Sequence, residues 1–254
     1  MKTKHLVPAF LMLLFSVGTI SLYDIVLKQP TNSIEQPSIE VPKPVYTYLS
    51  PYVELSPYDE HFREAADSTG YDWTLIAAIA YTESRFDSTA VSHAGAKGVM
   101  QVMPNTLRGF GIPDSMHTDN YTNIMAAAKL LKSIEEKPYF RRIEPMEERM
   151  NFVLASYNAG YGHILDAMSL ARKYGYNRHK WENSVDSFLI RKSNPEYYTD
   201  SLCRNGEFNG WRETLSFVRK VHKNWRSFSV AQQNYTDSIN TVVKNDKTKK
   251  IAEK

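Results

Sequence analysis

The chain has one cysteine, Cys203, so no disulfide can form within its 254 residues, and no thiol near residue 20 is available for lipidation. A lone thiol gains nothing from an oxidising compartment, and Cys203 reads as a buried or inert side chain rather than a nucleophile. Charge of one sign is scarce too: 31 Lys and Arg against 28 Asp and Glu leave a net +3. That excess is too mild to argue for nucleic acid, and contact with an anionic polymer or lipid is its more natural use. No His, Asp and Glu cluster falls at metal-ligand spacing. His163 and His179 stand alone, and the sequence calls for no metal and no cofactor. Internal repeats and sustained strand-like alternation are also missing, which excludes repeat architectures and argues against a large sheet.

What is present begins with an apolar run. Lys2, Lys4 and His5 precede Leu6 to Leu22, interrupted only by Ser16, Thr19 and Ser21. Residues 1–28 are therefore an export element, either a signal peptide or a membrane anchor of the length a span needs, about 20 residues. No small-x-small cleavage site is convincing, which favours a retained anchor. The lysine-rich start should stay cytoplasmic, putting the remainder on the outer side of the membrane, at the periplasmic face of the cell envelope. Pro30, Pro37, Pro42, Pro44, Pro51 and Pro57 make residues 29–57 an extended spacer. Residues 58–228 should form one domain. Residues 229–254 are polar and lysine-rich, and are expected to be a disordered tail.

Inside the domain the apolar periodicity is helical. Asp72 is a plausible N-cap for a helix beginning at Trp73, in which Ile76, Ile79 and Glu83 fall at i, i+3 and i+7. Glu83 therefore ends a buried stripe, where loss of hydration should lift its pKa from about 4.3 toward neutrality. A carboxyl that is neutral at physiological pH can act as a general acid. Read alone, it is a helix-end glutamate that pokes out of a shallow core; the residues around it reverse that reading. Ile124, Ala127, Ala128, Leu131 and Ile134 mark another helix, and Met150, Val153 and Tyr157 a third. A fourth runs from Ile164 to Tyr174 and stops at Gly175, and a last one from Trp211 to about Trp225. Asp87, just past Glu83, reads as a local turn cap and not as a second catalytic carboxylate. The expected fold class is mostly α.

Glu83-Ser84, Phe86, Ala90, Ser92, Gly95-Ala96, Gly98, Met100-Gln101, Met103-Pro104 and Thr106, followed by Ala155-Ser156-Tyr157-Asn158-Ala159-Gly160, resemble the two signature blocks of the soluble lytic transglycosylase (goose-type lysozyme-like) family. The resemblance covers about residues 60–228. The run Tyr161 to Ala167 is similar to the membrane-bound lytic transglycosylase F branch, without the solute-binding-like domain usual before it. It implies a lysozyme-like fold and peptidoglycan glycan strands as substrate, with the membrane as a partner through the N-terminal segment. The reaction implied is non-hydrolytic cleavage of the β-1,4 bond between N-acetylmuramic acid and N-acetylglucosamine. Glu83 would be the single acid and then base, without metal or cofactor. Carried over by motif, Ser92 would hydrogen-bond the sugar, Met100 and Gln101 would line the cleft, Tyr157 would orient the acetamido group or Glu83, and Asn158 would brace the turn beside the substrate. Each has a structural alternative: Met100 as core, Tyr157 as packing with a satisfied hydroxyl, the glycines as turn formers. Phe217 stands where relatives tend to carry tyrosine, and Phe86-Asp87-Ser88 replaces a proline-containing turn. A hydrolytic goose-type lysozyme, or an inactive wall-binding module, are the alternative readings.

Overall fold

The computed structural model describes residues 50–252, and side chains as far as residue 245. The expected anchor at 1–28 and the spacer up to residue 49 lie outside the described residues. Within them the chain forms helices α1 (Asp59–Thr69), α2 (Trp73–Ser84), α3 (Pro104–Gly109), α4 (Asn120–Glu135), α5 (Met146–Ala159), α6 (Tyr161–Lys173), α7 (Asp186–Arg191), α8 (Pro195–Tyr198) and the long α9 (Trp211–Ala252). A 3-10 turn at Asp114–Met116 precedes α4, and a kinked turn at Trp181–Val185 precedes α7. Extended pairing among the described residues is limited to isolated bridges of Lys97 with Val91 and with Val102. The mostly α class expected from periodicity is the class observed.

α2 is the element around which the others assemble. Asp72 caps it as expected, its side chain accepting the Thr74 N–H at 2.9 Å. Every residue from Trp73 to Ala80 is buried, so this helix is apolar all round and needs cover on all sides. α1 and α9 both pack against it; α1 also meets α4, α4 meets α5, and α5 meets α6 and α9. Phe62, Ile76, Ile124, Leu131, Phe152 and Val153 are fully buried in the shared core. Each such side chain contributes about 1.5–3 kcal/mol, so a continuous cluster of this kind gives the fold its main driving force.

Two boundaries differ from expectation. Residues 229–252 are not a disordered tail: α9 runs unbroken to Ala252. Ser229 lies 2.9 Å from the Thr74 hydroxyl, and the Trp225 indole N–H donates to Asp72. Further on, Gln232 accepts the Val53 N–H at 3.2 Å and donates to the Pro51 carbonyl at 3.0 Å. Composition failed here because a helix already nucleated on a packed core extends one hydrogen bond per residue without a new nucleus, and its polar side chains can dock by hydrogen bonding. The spacer likewise ends before residue 57. Val53 and Leu55 pack against the core, and the Asp59 carboxylate accepts from the Leu55 N–H and the Ser56 hydroxyl, both at 2.6 Å.

Candidate active site

The C-terminal end of α2 carries Glu83 into a sharp reversal. Arg85 and Phe86 both take positive φ, 57° and 67°, an uncommon conformation for residues with a Cβ. Packing holds them there: the Phe86 ring meets Phe62, Tyr81 and Phe228 at centroid distances of 5.9, 5.4 and 6.5 Å. Asp87 then accepts from both the N–H and the hydroxyl of Thr89, and these bonds keep its fully exposed carboxyl below its ordinary range. It is the local turn former that its position suggested.

The glycine-rich segment after this turn is folded onto α4. Asn123, fully buried, accepts the Met100 N–H at 2.9 Å and donates to the Lys97 carbonyl at 3.0 Å. Gly98 has a φ of 78°, and a Cβ there would sit 2.9 Å from Asn123, so glycine is required both by dihedral and by space. Ser84 ties the same segment to α2 by donating to the Val99 carbonyl at 2.8 Å. Gln101, at a φ of 49°, donates its amide to the carbonyls of Ala90 and Gly98 at 3.0 and 2.9 Å. Its Oε1 is the atom left to meet a ligand.

The opposite wall comes from the end of α5. Tyr157 donates to the Met100 carbonyl at 2.7 Å, and its ring stacks on Phe217 at 6.2 Å between centroids. Asn158 accepts from the Thr214 hydroxyl at 2.7 Å, which joins α5 to the first turn of α9. Gly160, at a φ of 91°, lets the chain turn directly from α5 into α6.

Between these walls lies a cleft of about 210 Å3, bordered by Glu83, Ser92, Gln101, Tyr157, Asn158 and Glu213. Among the described residues the Glu83 carboxyl takes no hydrogen bond and no cation faces it. Burial first, and the Glu213 carboxylate second, push its pKa up to about 8. The neutral acid expected from the sequence is therefore the prevailing form at neutral pH. Burial, with the Glu83 charge as the second cause, also holds the Tyr157 phenol well above its ordinary range, so that it remains a donor. The chemistry available is that of one protonated carboxyl in a small cleft of mixed polar and apolar lining.

The structure brings together Glu83, Ser92, Gln101, Tyr157 and Asn158, but not Met100. Expected to line the cleft, Met100 is instead fully buried, an apolar side chain drawn under the loop into the core while its backbone anchors Asn123 and Tyr157. Met103 lines the cleft in its place. Ser92 has its hydroxyl engaged by the Ala96 N–H at 3.0 Å. Sequence reasoning missed Glu213 and Asn123. Glu213, in the first turn of the last helix, carries no motif signal in a single sequence; its proximity to Glu83 is visible only in three dimensions. Cys203 donates to the Tyr197 carbonyl at 3.2 Å and burial raises its pKa, in keeping with an unreactive thiol.

A family model described as the transglycosylase SLT domain matches residues 60–180. The chain is similar to a membrane-bound lytic murein transglycosylase F of Desulfosudis oleivorans, 39% identical over 170 residues, which make up 67% of this chain and 36% of that protein. A protein of the same name from Alcanivorax borkumensis is 37% identical over 166 residues, 65% of this chain and 34% of its own length. The chain thus spans about a third of the length of these curated relatives. Among solved structures, the 70 kDa soluble lytic transglycosylase of Escherichia coli aligns at 22% identity and a TM-score of 0.43, over 68% of this chain and 24% of that one.

Proposed function

We propose that the chain is a peptidoglycan lytic transglycosylase acting at the Glu83 cleft, a reading supported by the match of residues 60–180 to the transglycosylase SLT domain. The observation that supports this most is the Glu83 carboxyl, raised to a pKa of about 8 and free of any hydrogen-bonding partner among the described residues. Such a group holds a proton at neutral pH and can deliver it to the glycosidic oxygen between N-acetylmuramic acid and N-acetylglucosamine as that bond breaks.

The oxocarbenium-like C1 left behind needs an electron pair. In the proposed reaction the 2-acetamido oxygen of the muramoyl sugar supplies it, and the O6 hydroxyl of the same sugar then displaces that oxygen. Glu83, now ionised, takes the O6 proton, so the carboxyl returns to its starting state and the product is a 1,6-anhydromuramoyl end. In this reading Gln101 Oε1, the Asn158 amide and the Ser92 hydroxyl, which line the cleft, would meet the sugars, with Tyr157 holding the wall behind them. No step needs water as reactant.

The relatives are named membrane-bound, and we assign this chain to the cell envelope, with the apolar run at 6–22 as its export and anchoring element. No helix among the described residues is long and apolar enough to cross a membrane, so anchoring rests on that N-terminal run. Incubation with purified sacculi tests the activity: soluble glycan fragments should appear with the wild-type chain and not with Glu83→Gln. Equal release by both, or by neither, would remove the assignment.

A further inference from the structure

A second cavity, of about 330 Å3, lies where α6 meets the loop leading into α9, on residues that the Glu83 cleft does not use. Arg172 from the last turn of α6, Arg178 from the loop after it, and Arg204 from the loop before α9 all border it. Among the described residues none of the three guanidinium groups makes a hydrogen bond or an ion pair. Arg178 is the most telling. Its Nε is shielded from solvent without a partner. Its guanidinium stands 5.1 Å from the Tyr139 ring centroid, a contact that occupies the face of the cation and leaves its in-plane donors unused.

The charges are not balanced locally. Burial, and next the charge of Arg172, hold Arg178 below its ordinary range, against a smaller opposing effect of Tyr139. Asp166 does reach the cavity wall, but it is already satisfied: buried Lys192 donates to it at 2.6 Å, and the backbone N–H groups of Arg204 and Asn205 at 3.0 and 2.9 Å. Those same bonds fix the loop that carries Arg204. The backbone that carries Arg204 is therefore held in place, and exposed Arg172 and Arg204 with half-buried Arg178 leave the cavity with positive charge to spare. An oxyanion would supply the missing acceptors, and guanidinium forks match a carboxylate in plane. Leu165, Leu202 and the Tyr139 ring give the wall an apolar part, beside Ser169, Ser201 and Asn205. An apolar wall beside the cations suits a carboxylate that carries a small alkyl group, and would stay wet beside a bare phosphate.

We propose that this cavity binds the C-terminal carboxylate of a short peptide ending in a small aliphatic residue, with Arg172, Arg178 and Arg204 as its ligands. Peptide stems on peptidoglycan are the natural source, an identification that rests on the reading of the Glu83 cleft; the preference for a peptide carboxylate does not. Full-length Glu83→Gln protein in detergent, titrated calorimetrically with N-acetyl-D-alanyl-D-alanine, separates the two, because binding is read without turnover. The free acid should bind, and its C-terminal amide and inorganic phosphate should bind at least about tenfold more weakly. Adding Arg172→Gln and Arg178→Gln should weaken the acid by about tenfold with the helical circular dichroism unchanged, and Arg178→Lys, which keeps charge but loses the fork, should weaken it as well. Equal affinity for the amide, equal affinity for phosphate, no binding of the acid, or binding indifferent to the arginines would each overturn the proposal. Sacculus cleavage by the arginine variants with Glu83 intact remains an independent readout of the cleft.

Discussion

Tyr157 donates its hydroxyl to the Met100 carbonyl at 2.7 Å, joining the end of α5 to the glycine-rich segment that forms the facing wall of the Glu83 cleft. The hydroxyl is therefore committed to the protein itself. Tyr157→Phe leaves a buried carbonyl without its donor, which costs about 1–3 kcal/mol. Thermal unfolding should show a lowered Tm, and kcat/KM should fall because Gln101 sits on the loop so released. An unchanged Tm would mean that Asn123 and Ser84 hold the loop without Tyr157.

Glu213 faces Glu83 as a second acid, and its charge is the smaller of the two causes of the raised pKa. Glu213→Gln should move the alkaline limb of the kcat/KM profile to lower pH, without returning it to the ordinary carboxylate range, since burial remains. The pH profile of the variant checks this. A limb that stays in place would show that Glu213 does not sense the ionisation of Glu83.

The same shift has a consequence for stability. Folded Glu83 keeps its proton up to about pH 8, whereas its ordinary value is 4.5, so between these limits the folded state binds more protons than the unfolded one. Stability from this source is complete below the lower value and is lost as pH rises through the upper one. Glu83→Gln cannot ionise, so its stability relative to wild type should rise across that window, by on the order of a few kcal/mol. Urea unfolding at the two ends of the window measures the difference. A pH-independent difference would contradict the raised pKa.

Deleting residues 1–49 should leave a folded domain, because the contacts that tie Val53, Leu55, Asp59 and Gln232 into the fold are made within residues 50–252. Deleting 1–57 should lower Tm measurably, since it removes Val53 and Leu55 from the core and strips Asp59 of two donors. Equal Tm values for the two truncations would return the domain boundary to residue 58.

Much of this was legible along the chain, and for a physical reason. Trp73 to Ala80 is a continuous apolar run after a capping aspartate, so the helix and the buried carboxyl at its end follow from local sequence alone. Asp87 and the glycines of the loop are local in the same sense. Met100 and Glu213 were not legible. Whether a methionine in a loop faces a cleft or the core depends on what lies beneath it, here Asn123 and Tyr157 drawn from α4 and α5. Glu213 reaches Glu83 only because α9 packs along α2. The stretch of α9 around Ser229 and Gln232 eluded composition because its support comes from Thr74, Val53 and Pro51, each far away in sequence.

The central claim is that Glu83 serves as acid and then as base, and that O6, not water, completes the reaction at C1. Mass spectrometry of the muropeptides released from purified sacculi tests it most directly. The fragments should be dominated by species lighter by one water than hydrolysis products and lacking a reducing end, and they should be absent with Glu83→Gln. Fragments ending mainly in reducing N-acetylmuramic acid would show that water reaches C1 first, and the protein would be a muramidase.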